Sequence, residues 1–323
     1  MKKNLALLTV MFVLFFAIQS ASGAEPVTLK ASCFFTKDHP LAWGVFTWID
    51  TVNKELQGQV KASYVGGPEV IPVLEQIEAV KKGIIDVSFT SGSHYGPQVP
   101  VGYTLTLSKL MPWEERRSGY YNILVKANEK VGVRYIGRWL HGGFFMWLKD
   151  PVKSLEDLKA RRLRTFTTYE RFYKALGIAG ITITPAETYT ALERGLVDGT
   201  IWPLIGPREE GWTKFLKYYV NEELWPASNL VILVNLNTWN KMPGDLKTKL
   251  EEITASFEHQ MVAHFQEKNK KEGDLLEQSG IKKITFSPAE MKKFSDLSYD
   301  VEWAELEKKI PDLIPSLKKA EGY

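Results

Sequence analysis

Residues 187–198 read ETYTALERGLVD, and residues 75–86 read EQIEAVKKGIID. Both segments fit the pattern Glu-x3-Ala-x3-Gly-x2-Asp, which predicts a helix, a left-handed glycine that ends it and a following strand. Taken alone, each copy is an ordinary helix–strand junction, and a match at four positions can arise by chance. Because both copies occupy the same place in the strand–helix rhythm of the chain, we interpret them as a sign of two lobes of similar design.

The chain alternates β-type runs with amphipathic helical stretches. Residues 27–35 are rich in β-formers, residues 40–56 carry apolar side chains at helical spacing, and residues 60–65 alternate as a strand does. This rhythm predicts an α/β fold with mostly parallel sheets flanked by helices. A length of about 300 residues favours two lobes over one. Ligands of such folds bind in the crevice at the carboxyl ends of the strands.

The segment from about residue 245 to 279 is charged, lacks proline and has apolar residues at helical spacing. Pro243 precedes it and Gly280 follows it, as expected for the start and the end of a helix. As one helix it would be about 52 Å long, longer than one small lobe, so we predict a single helix that bridges both lobes. The alternative is two consecutive helices that are broken near Gly273.

The first 24 residues have the features of a secretory signal peptide. Lys2 and Lys3 precede an apolar run over residues 5–18, and small residues follow at 21–24. The apolar run is shorter than the roughly 20 residues that a membrane-spanning helix needs. We therefore expect cleavage near Glu25 and a periplasmic mature protein. An uncleaved membrane anchor is the alternative.

Charge and cysteine content exclude some function classes. The 41 basic and 38 acidic side chains give a net charge of +3, and loss of the leader with its two lysines leaves +1. A chain so close to neutral has no broad basic surface, which argues against nucleic acid as a partner. Cys33, as the single cysteine, cannot form an intramolecular disulfide. We expect it to be a small buried core residue.

Catalytic motifs are lacking. The sequence contains no GxSxG, HExxH, CxxC or Walker-type segment. One cysteine and five histidines also make a structural zinc site improbable. We therefore predict a protein without enzymatic activity, metal site or cofactor. Hydrolase chemistry by dispersed carboxylates stays open at this point.

The segment RRLRTFTT, residues 161–168, carries a candidate for anion binding. Leu163 and Phe166 have the pattern of core residues in a short strand, so the basic side chains between them face elsewhere. For Arg161 and Arg162 we favour a solvated surface. Arg164 has two interpretations, a solvated position or a cleft position in which its guanidinium binds a carboxylate through two N–H groups.

Two longer segments carry a resemblance to a known family. Residues 149–165 read KDPVKSLEDLKARRLRT, and residues 185–203 read PAETYTALERGLVDGTIWP. Together with EQIEAVKKGIID and the later VNLNTWNKMPGDLKTKL, this sequence resembles the DctP-type periplasmic binding subunits of TRAP (tripartite ATP-independent periplasmic) transporters. The resemblance covers essentially the whole mature chain and rests on four motifs in the family's order.

The resemblance implies a two-lobed fold of the periplasmic-binding-protein type, with a long helix bridging the lobes. It also implies a closing cleft whose ligand is usually a carboxylate, and membrane subunits of a TRAP transporter as partners. The family's key arginine falls on Arg164, and Thr167 falls where members often place a further polar contact. Members are mostly monomers, with some dimers.

Departures from the family pattern bear on the ligand. Trp202 replaces the family's asparagine after the second motif, and Ser91 stands where sugar-acid binders often carry an acidic residue. We therefore expect a small or apolar monocarboxylate, such as a 2-oxo, branched or aromatic acid. Trp202 either contacts the ligand or packs in the core. Phe34 and Tyr95, near predicted strand ends, complete an apolar wall or belong to the core.

The expected organisation is a signal peptide over residues 1–24 and two interleaved lobes. The first lobe comprises residues 25–149 with part of 235–285, and the second comprises 150–234 with part of 286–323. The predicted function is capture of a small organic acid for TRAP-type uptake. A secreted sensory binding protein and an enzyme on a two-lobed scaffold are the alternatives.

Overall fold

The computed structural model of the protein describes residues 25–226 and 228–321. The predicted signal peptide lies outside the described residues. Within them, no helix is both long and apolar enough to cross a membrane. The strands are β1 (Val27–Cys33), β2 (Val60–Gly66), β3 (Val87–Ser91), β4 (Val133–Arg138), β5 (Phe145–Leu148), β6 (Arg162–Thr165), β7 (Ala179–Thr182), β8 (Gly199–Trp202), β9 (Tyr218–Val220), β10 (Leu230–Asn235) and β11 (Lys282–Ile284).

Helices flank these strands. The α-helices are α1 (Trp43–Glu55), α2 (Gln76–Lys81), α3 (Thr104–Leu107), α4 (Pro112–Ser118), α5 (Tyr120–Glu129), α6 (Glu170–Leu176), α7 (Thr188–Glu193), α8 (Leu236–Lys241), α9 (Gly244–Gln278), α10 (Pro288–Lys309) and α11 (Ile314–Glu321).

The strands form two separate sheets, one in each lobe. The first sheet has the order β2-β1-β3-β10-β4, and the second has the order β11-β9-β5-β8-β6-β7. In the first sheet β10 runs antiparallel to both of its neighbours, and in the second sheet β5 does the same. The other pairings are parallel. The predicted α/β fold with two lobes and mostly parallel sheets is therefore confirmed, with one reversed strand in each sheet of the described part.

The chain passes between the lobes at points that the sequence did not mark. Strand β5 pairs in the second sheet, although the expected boundary at residue 149 assigns it to the first lobe. Strand β10 pairs in the first sheet, although most of it falls in the range 150–234. We propose that the lobes follow the sheets, with crossing segments at residues 139–144 and 221–229. Below, the first and second lobes are named in this sense.

The repeated motif forms the same junction in both lobes. Gly83 ends α2 with φ of +70°, and Gly195 follows α7 with φ of +65°, so both glycines are left-handed. In each copy the amide of the residue after the glycine donates to the carbonyl of the motif's alanine at 2.9 Å. This hydrogen bond closes the helix end and turns the chain into β3 or β8.

The aspartate that ends each copy fixes the neighbouring strand. Asp86 accepts a hydrogen bond from the backbone amide of Lys30 at 3.0 Å, and Asp198 accepts one from the amide of Arg162 at 3.1 Å. Each carboxylate thus joins the start of its own strand to the adjacent parallel strand. The shared pattern therefore reflects the same local construction in each lobe.

Helix α9 is a single helix of 35 residues that contacts both lobes, as predicted. In the first lobe, the hydroxyl of Thr254 accepts the indole N–H of Trp48 at 3.0 Å. Near its other end, Glu272 accepts from Arg208 of the second lobe at 2.8 Å. The helix passes through Gly273, where a glycine costs about 1 kcal/mol relative to alanine. Buried neighbours such as Glu272 and Leu276 hold this turn in place.

Candidate ligand-binding cleft

The carboxyl ends of four parallel strands face each other between the lobes. Strands β1 and β3 come from the first lobe, and β6 and β8 come from the second. A cavity of about 40 Å³ lies there. Its lining combines both lobes and both crossing segments: Phe34, Phe35, Leu41, Ser91, His94, Leu140, Phe144, Arg164, Phe166, Thr168, Tyr169, Pro185, Trp202, Pro203, Asn229 and Leu230.

Arg164 lies on β6 and is only 1% exposed. Its Nε donates to the carbonyl of Ile183 at 2.8 Å, and its Nη1 donates to the hydroxyl of Tyr169. Its Nη2 is buried and has no hydrogen-bond partner among the described residues. The strand and these two hydrogen bonds therefore fix the guanidinium and leave its Nη2 amino group available.

The other arginine that is buried like Arg164, and a partly buried one, have carboxylate partners. Arg138 pairs with Glu115, and Arg116 pairs with Glu258 at 2.7 Å. No carboxylate of the described residues forms an ion pair with Arg164. Burial of an unpaired charge costs several kcal/mol. Arg164 is therefore placed where an external anion would replace the missing acid.

Aromatic rings surround the Arg164 guanidinium. Its central carbon lies 5.4 Å from the ring centroid of Trp202, 5.5 Å from that of Phe166 and 5.9 Å from that of Tyr169. Ring faces within about 6 Å attract a cation, which offsets part of the cost of its burial. The same rings exclude water, and low polarity strengthens the attraction between the guanidinium and an anion.

Trp202 ends β8 and is 5% exposed. Its ring also packs edge-on against Trp212, with 5.1 Å between the centroids. Gly206, with φ of +115°, lies beside the indole, and a Cβ atom there would be 2.7 Å from Nε1 of Trp202. Trp202 thus lines the cavity, as a residue that contacts a ligand would, and it also packs in the core. The sequence offered these two positions as alternatives.

A group of hydroxyls connects the lobes beside the cavity. Ser91, at the end of β3, bonds to Ser93 with 2.9 Å between the oxygens. Ser93 in turn lies 3.0 Å from the hydroxyl of Thr167 and 2.9 Å from that of Thr168, both in the second lobe. Thr168 lines the cavity, whereas Thr167 is outside its lining. The structure therefore places Thr167 in an interlobe hydrogen bond next to the cavity.

Two buried histidines of the cleft are neutral. Burial, together with the positive charge of Arg164, lowers the pKa of His94 to about 3. Burial also lowers the pKa of His39 to about 3. The cavity lining in the described residues contains no Asp, Glu or Lys. Arg164 therefore supplies the formal charge of this cavity, and the cavity suits a monoanion.

Phe34 and Tyr95 have different positions. Phe34 lines the cavity and packs against Phe35, with 4.1 Å between the ring centroids. Tyr95 is 1% exposed, lies in a hydrophobic core cluster and is absent from the lining that the described residues form. For Tyr95 the structure thus favours the core interpretation, because its ring packs into that cluster after the turn that follows β3.

Among the lining residues that sequence reasoning did not identify are His94, Phe166 and Asn229. His94 and Phe166 each follow the end of a strand whose neighbouring residues were identified, so position alone could have indicated them. Asn229 precedes β10, which returns from the other lobe, and no local pattern marks it. No group of three or more His, Cys, Asp or Glu side chains in the described ranges could hold a metal ion.

A larger cavity of about 670 Å³ adjoins the first and forms the mouth of the cleft. Phe34, Phe35, Phe166 and Pro185 line both cavities. The mouth also carries carboxylates from both lobes, namely Glu69, Glu75, Glu187 and Glu210. The route to Arg164 is therefore acidic at its entrance and apolar further in.

Comparisons with known proteins agree with this architecture. Residues 32–309 match the family DctP, bacterial extracellular solute-binding protein, family 7. A monocarboxylate 2-oxoacid-binding periplasmic protein from Nostoc sp. is 25% identical over 282 residues, which are 82% of this chain and 77% of that protein.

Solved structures with low sequence identity share the fold. One is a TRAP periplasmic solute-binding protein from Desulfovibrio salexigens with bound orotic acid, with a TM-score of 0.82 and 19% identity over 92% of this chain and 99% of that one. Another is DctP7, a Bordetella pertussis extracytoplasmic solute receptor binding pyroglutamic acid, with a TM-score of 0.80 and 15% identity over the same shares. With most of its length matched by the family, this chain belongs to DctP, the family 7 bacterial extracellular solute-binding proteins.

Proposed function

We propose that this protein binds a small organic monocarboxylate in the periplasm and delivers it to the membrane subunits of a TRAP transporter, without chemical turnover. The observation that carries the proposal is Arg164, which is buried with an available Nη2 and no carboxylate partner among the described residues. A ligand carboxylate would supply that partner, and a charge-assisted hydrogen bond of this kind is among the strongest in proteins.

The composition of the cavity supports a monoanion with an apolar body. Its lining is dominated by Phe, Leu, Pro and Trp side chains, and its described residues include no acid. A second carboxylate would have no cation beside it there. Sugar acids would place several hydroxyls against apolar walls, at the cost of their hydrogen bonds to water.

The ligands of three of the similar proteins fall in this class, whereas others of the family hold dicarboxylates or sugar acids. The Nostoc relative is named for monocarboxylate 2-oxoacids. The structural neighbours from Desulfovibrio salexigens and Bordetella pertussis hold orotic acid and pyroglutamic acid. Each of these ligands is a ring or chain acid with one carboxylate.

Ligand binding would favour the closed form of the two lobes. Arg164 and Trp202 come from the second lobe, whereas Phe34 and Ser91 come from the first. A ligand that contacts both sets binds the closed form more tightly, and this difference in affinity is what shifts the equilibrium. A cavity of about 40 Å³ has room for only a few water molecules, so the lobes must part to admit an organic acid and then close around it.

The proposal is tested by calorimetric titration of the mature protein with mono- and dicarboxylates and sugar acids. We expect a monocarboxylate to bind, and Arg164→Ala to weaken it by about 30-fold or more, as for loss of one member of a buried charge pair. Arg162→Ala is the matched control, because Arg162 lies on the same strand with a half-exposed side chain. Unchanged affinity in Arg164→Ala would refute the proposal, and mass spectrometry of the recovered ligand would reveal any turnover.

A further inference from the structure

Asn229 is a buried amide without a hydrogen-bond partner for its side-chain nitrogen. The residue is 1% exposed, and its Nδ2 has no partner among the described residues. It lines the cavity that contains Arg164 and lies at the end of the crossing segment 221–229. A buried polar group in this state is destabilising unless something else satisfies it.

The backbone holds Asn229 firmly in this place. Its carbonyl accepts the amide N–H of Gly92 at 2.8 Å. The preceding residue, Ser228, is left-handed with φ of +57°, which is strained for a residue with a side chain. The carbonyl of Ser228 accepts from Arg138, and Arg138 is fixed by its buried ion pair with Glu115. The strained turn is thus imposed by its surroundings and presents Asn229 at the cavity.

Two hydroxyls and an imidazole of the lining already have hydrogen-bond partners. Ser91 and Thr168 bond to Ser93, and His94 bonds to Thr90 at 3.2 Å. The Nε1 of Trp202 lies beside Gly206 and has no hydrogen-bond partner among the described residues. Arg164, Trp202 and Asn229 therefore remain as the described lining residues with a buried N–H that has no partner, and of these Asn229 carries the amide, which can also accept a hydrogen bond.

We propose that Asn229 is a specificity-determining residue, whose amide binds an oxygen on the carbon next to the ligand carboxylate, as in 2-oxo and 2-hydroxy acids. This inference rests on the proposed function, in which Arg164 binds the carboxylate. Because the cavity is small, a ligand anchored at Arg164 lies within reach of Asn229. The amide donates to a carbonyl oxygen and can also accept from a hydroxyl. An acid without that oxygen leaves the amide unpaired.

The test uses three series of acids, and the members of each series differ only in that oxygen. The first series is propanoate, lactate and pyruvate. The second is 3-methylbutanoate with its 2-hydroxy and 2-oxo forms, and the third is 3-phenylpropanoate with its 2-hydroxy and 2-oxo forms. We expect the wild-type protein to bind the oxygenated member of the preferred series about 10-fold more tightly than the plain acid. Asn229→Leu, of similar size, should abolish this preference and leave the affinity for the plain acid within about 2-fold.

A second variant guards against a folding defect. Asn229→Asp keeps the shape of the side chain but replaces the donor by a carboxylate, which repels every anionic ligand and competes for Arg164. All acids should therefore bind more weakly, and the 2-oxo acid should lose more affinity than the 2-hydroxy acid, whose hydroxyl can donate to the carboxylate. Equal binding of plain and oxygenated acids by the wild-type protein would overturn the inference and leave the proposed function intact. Equal weakening of every acid in both variants would also overturn it. Failure of every acid to bind the wild-type protein would refute both.

Discussion

The hydroxyl oxygen of Ser93, in the first lobe, lies 3.0 Å from the hydroxyl oxygen of Thr167, in the second lobe. Ser93 is fully buried and also bonds to Ser91 within its own lobe. It therefore links the end of β3 to the segment that follows β6, immediately beside Arg164. Such a contact stabilises the closed form and contributes nothing once the lobes separate.

Ser93→Ala should favour the open form. We expect a faster dissociation rate and an affinity lower by about 3- to 10-fold, because net hydrogen-bond contributions are about 1 kcal/mol. Stopped-flow fluorescence measures the rate. Ser88→Ala is the control, because the hydroxyl of Ser88 is also buried, on β3, but bonds to Gln76 within the first lobe. Equal effects of the two substitutions would contradict a role in closure.

Gly206→Ala should weaken ligand binding by displacing the indole of Trp202. A Cβ atom at residue 206 would lie 2.7 Å from Nε1 of Trp202. Gly132→Ala is the control, because Gly132 also has positive φ but open space around it. Each substitution should cost about 1–2 kcal/mol of unfolding free energy from backbone strain. Calorimetry should show weaker ligand binding only for Gly206→Ala, and unchanged binding would indicate that the indole is dispensable.

Stability should fall as the pH decreases from about 6.5 towards 4. His94 has a pKa of about 3 when folded and an ordinary value of 6.5, so the unfolded chain binds the proton first. Each such histidine lowers the free energy of unfolding by up to about 1.4 kcal/mol per pH unit in this window. His94→Gln should reduce the slope measured by urea unfolding. His259→Gln, on the exposed face of α9, is the control, and an unchanged slope in His94→Gln would contradict this account.

Gly273→Ala should stabilise the bridging helix. Gly273 lies inside α9, and no atom lies within 4 Å of the position of an added Cβ. Alanine there should raise the free energy of unfolding by about 0.5–1 kcal/mol. Gly280→Ala should have the opposite effect, because Gly280 follows the helix with φ of +80°. Thermal unfolding of both variants measures these changes in stability. A lower stability of Gly273→Ala would indicate that the helix needs the flexibility of glycine at this position.

Much of the fold could be predicted because its signals are local. The left-handed glycines Gly83 and Gly195 and the uninterrupted pattern of α9 depend on residues close in sequence. By contrast, which of the two sheets contains β10 depends on pairing between strands that are distant in sequence. All six residues of β10 are buried, so its sequence fits the centre of either sheet equally well.

The candidate cleft was predictable where a strand end supplied the side chain. Arg164, Trp202, Ser91 and Phe34 all lie at or next to the carboxyl ends of strands, and all line the cavity. Asn229 reaches the same cavity from the amino end of a reversed strand. A sequence pattern that follows parallel strands gives no indication of such a residue.

Because of the position of β10, the sheet of the first lobe can be completed only late in the delivery of the chain. This strand lies between β3 and β4, yet it follows the strands β5 to β9 of the second sheet along the chain. A polypeptide that emerges amino terminus first, from a ribosome or an export channel, has unpaired edges on β3 and β4 until residues 230–235 appear. The first lobe therefore completes its sheet only after most of the second lobe has been delivered.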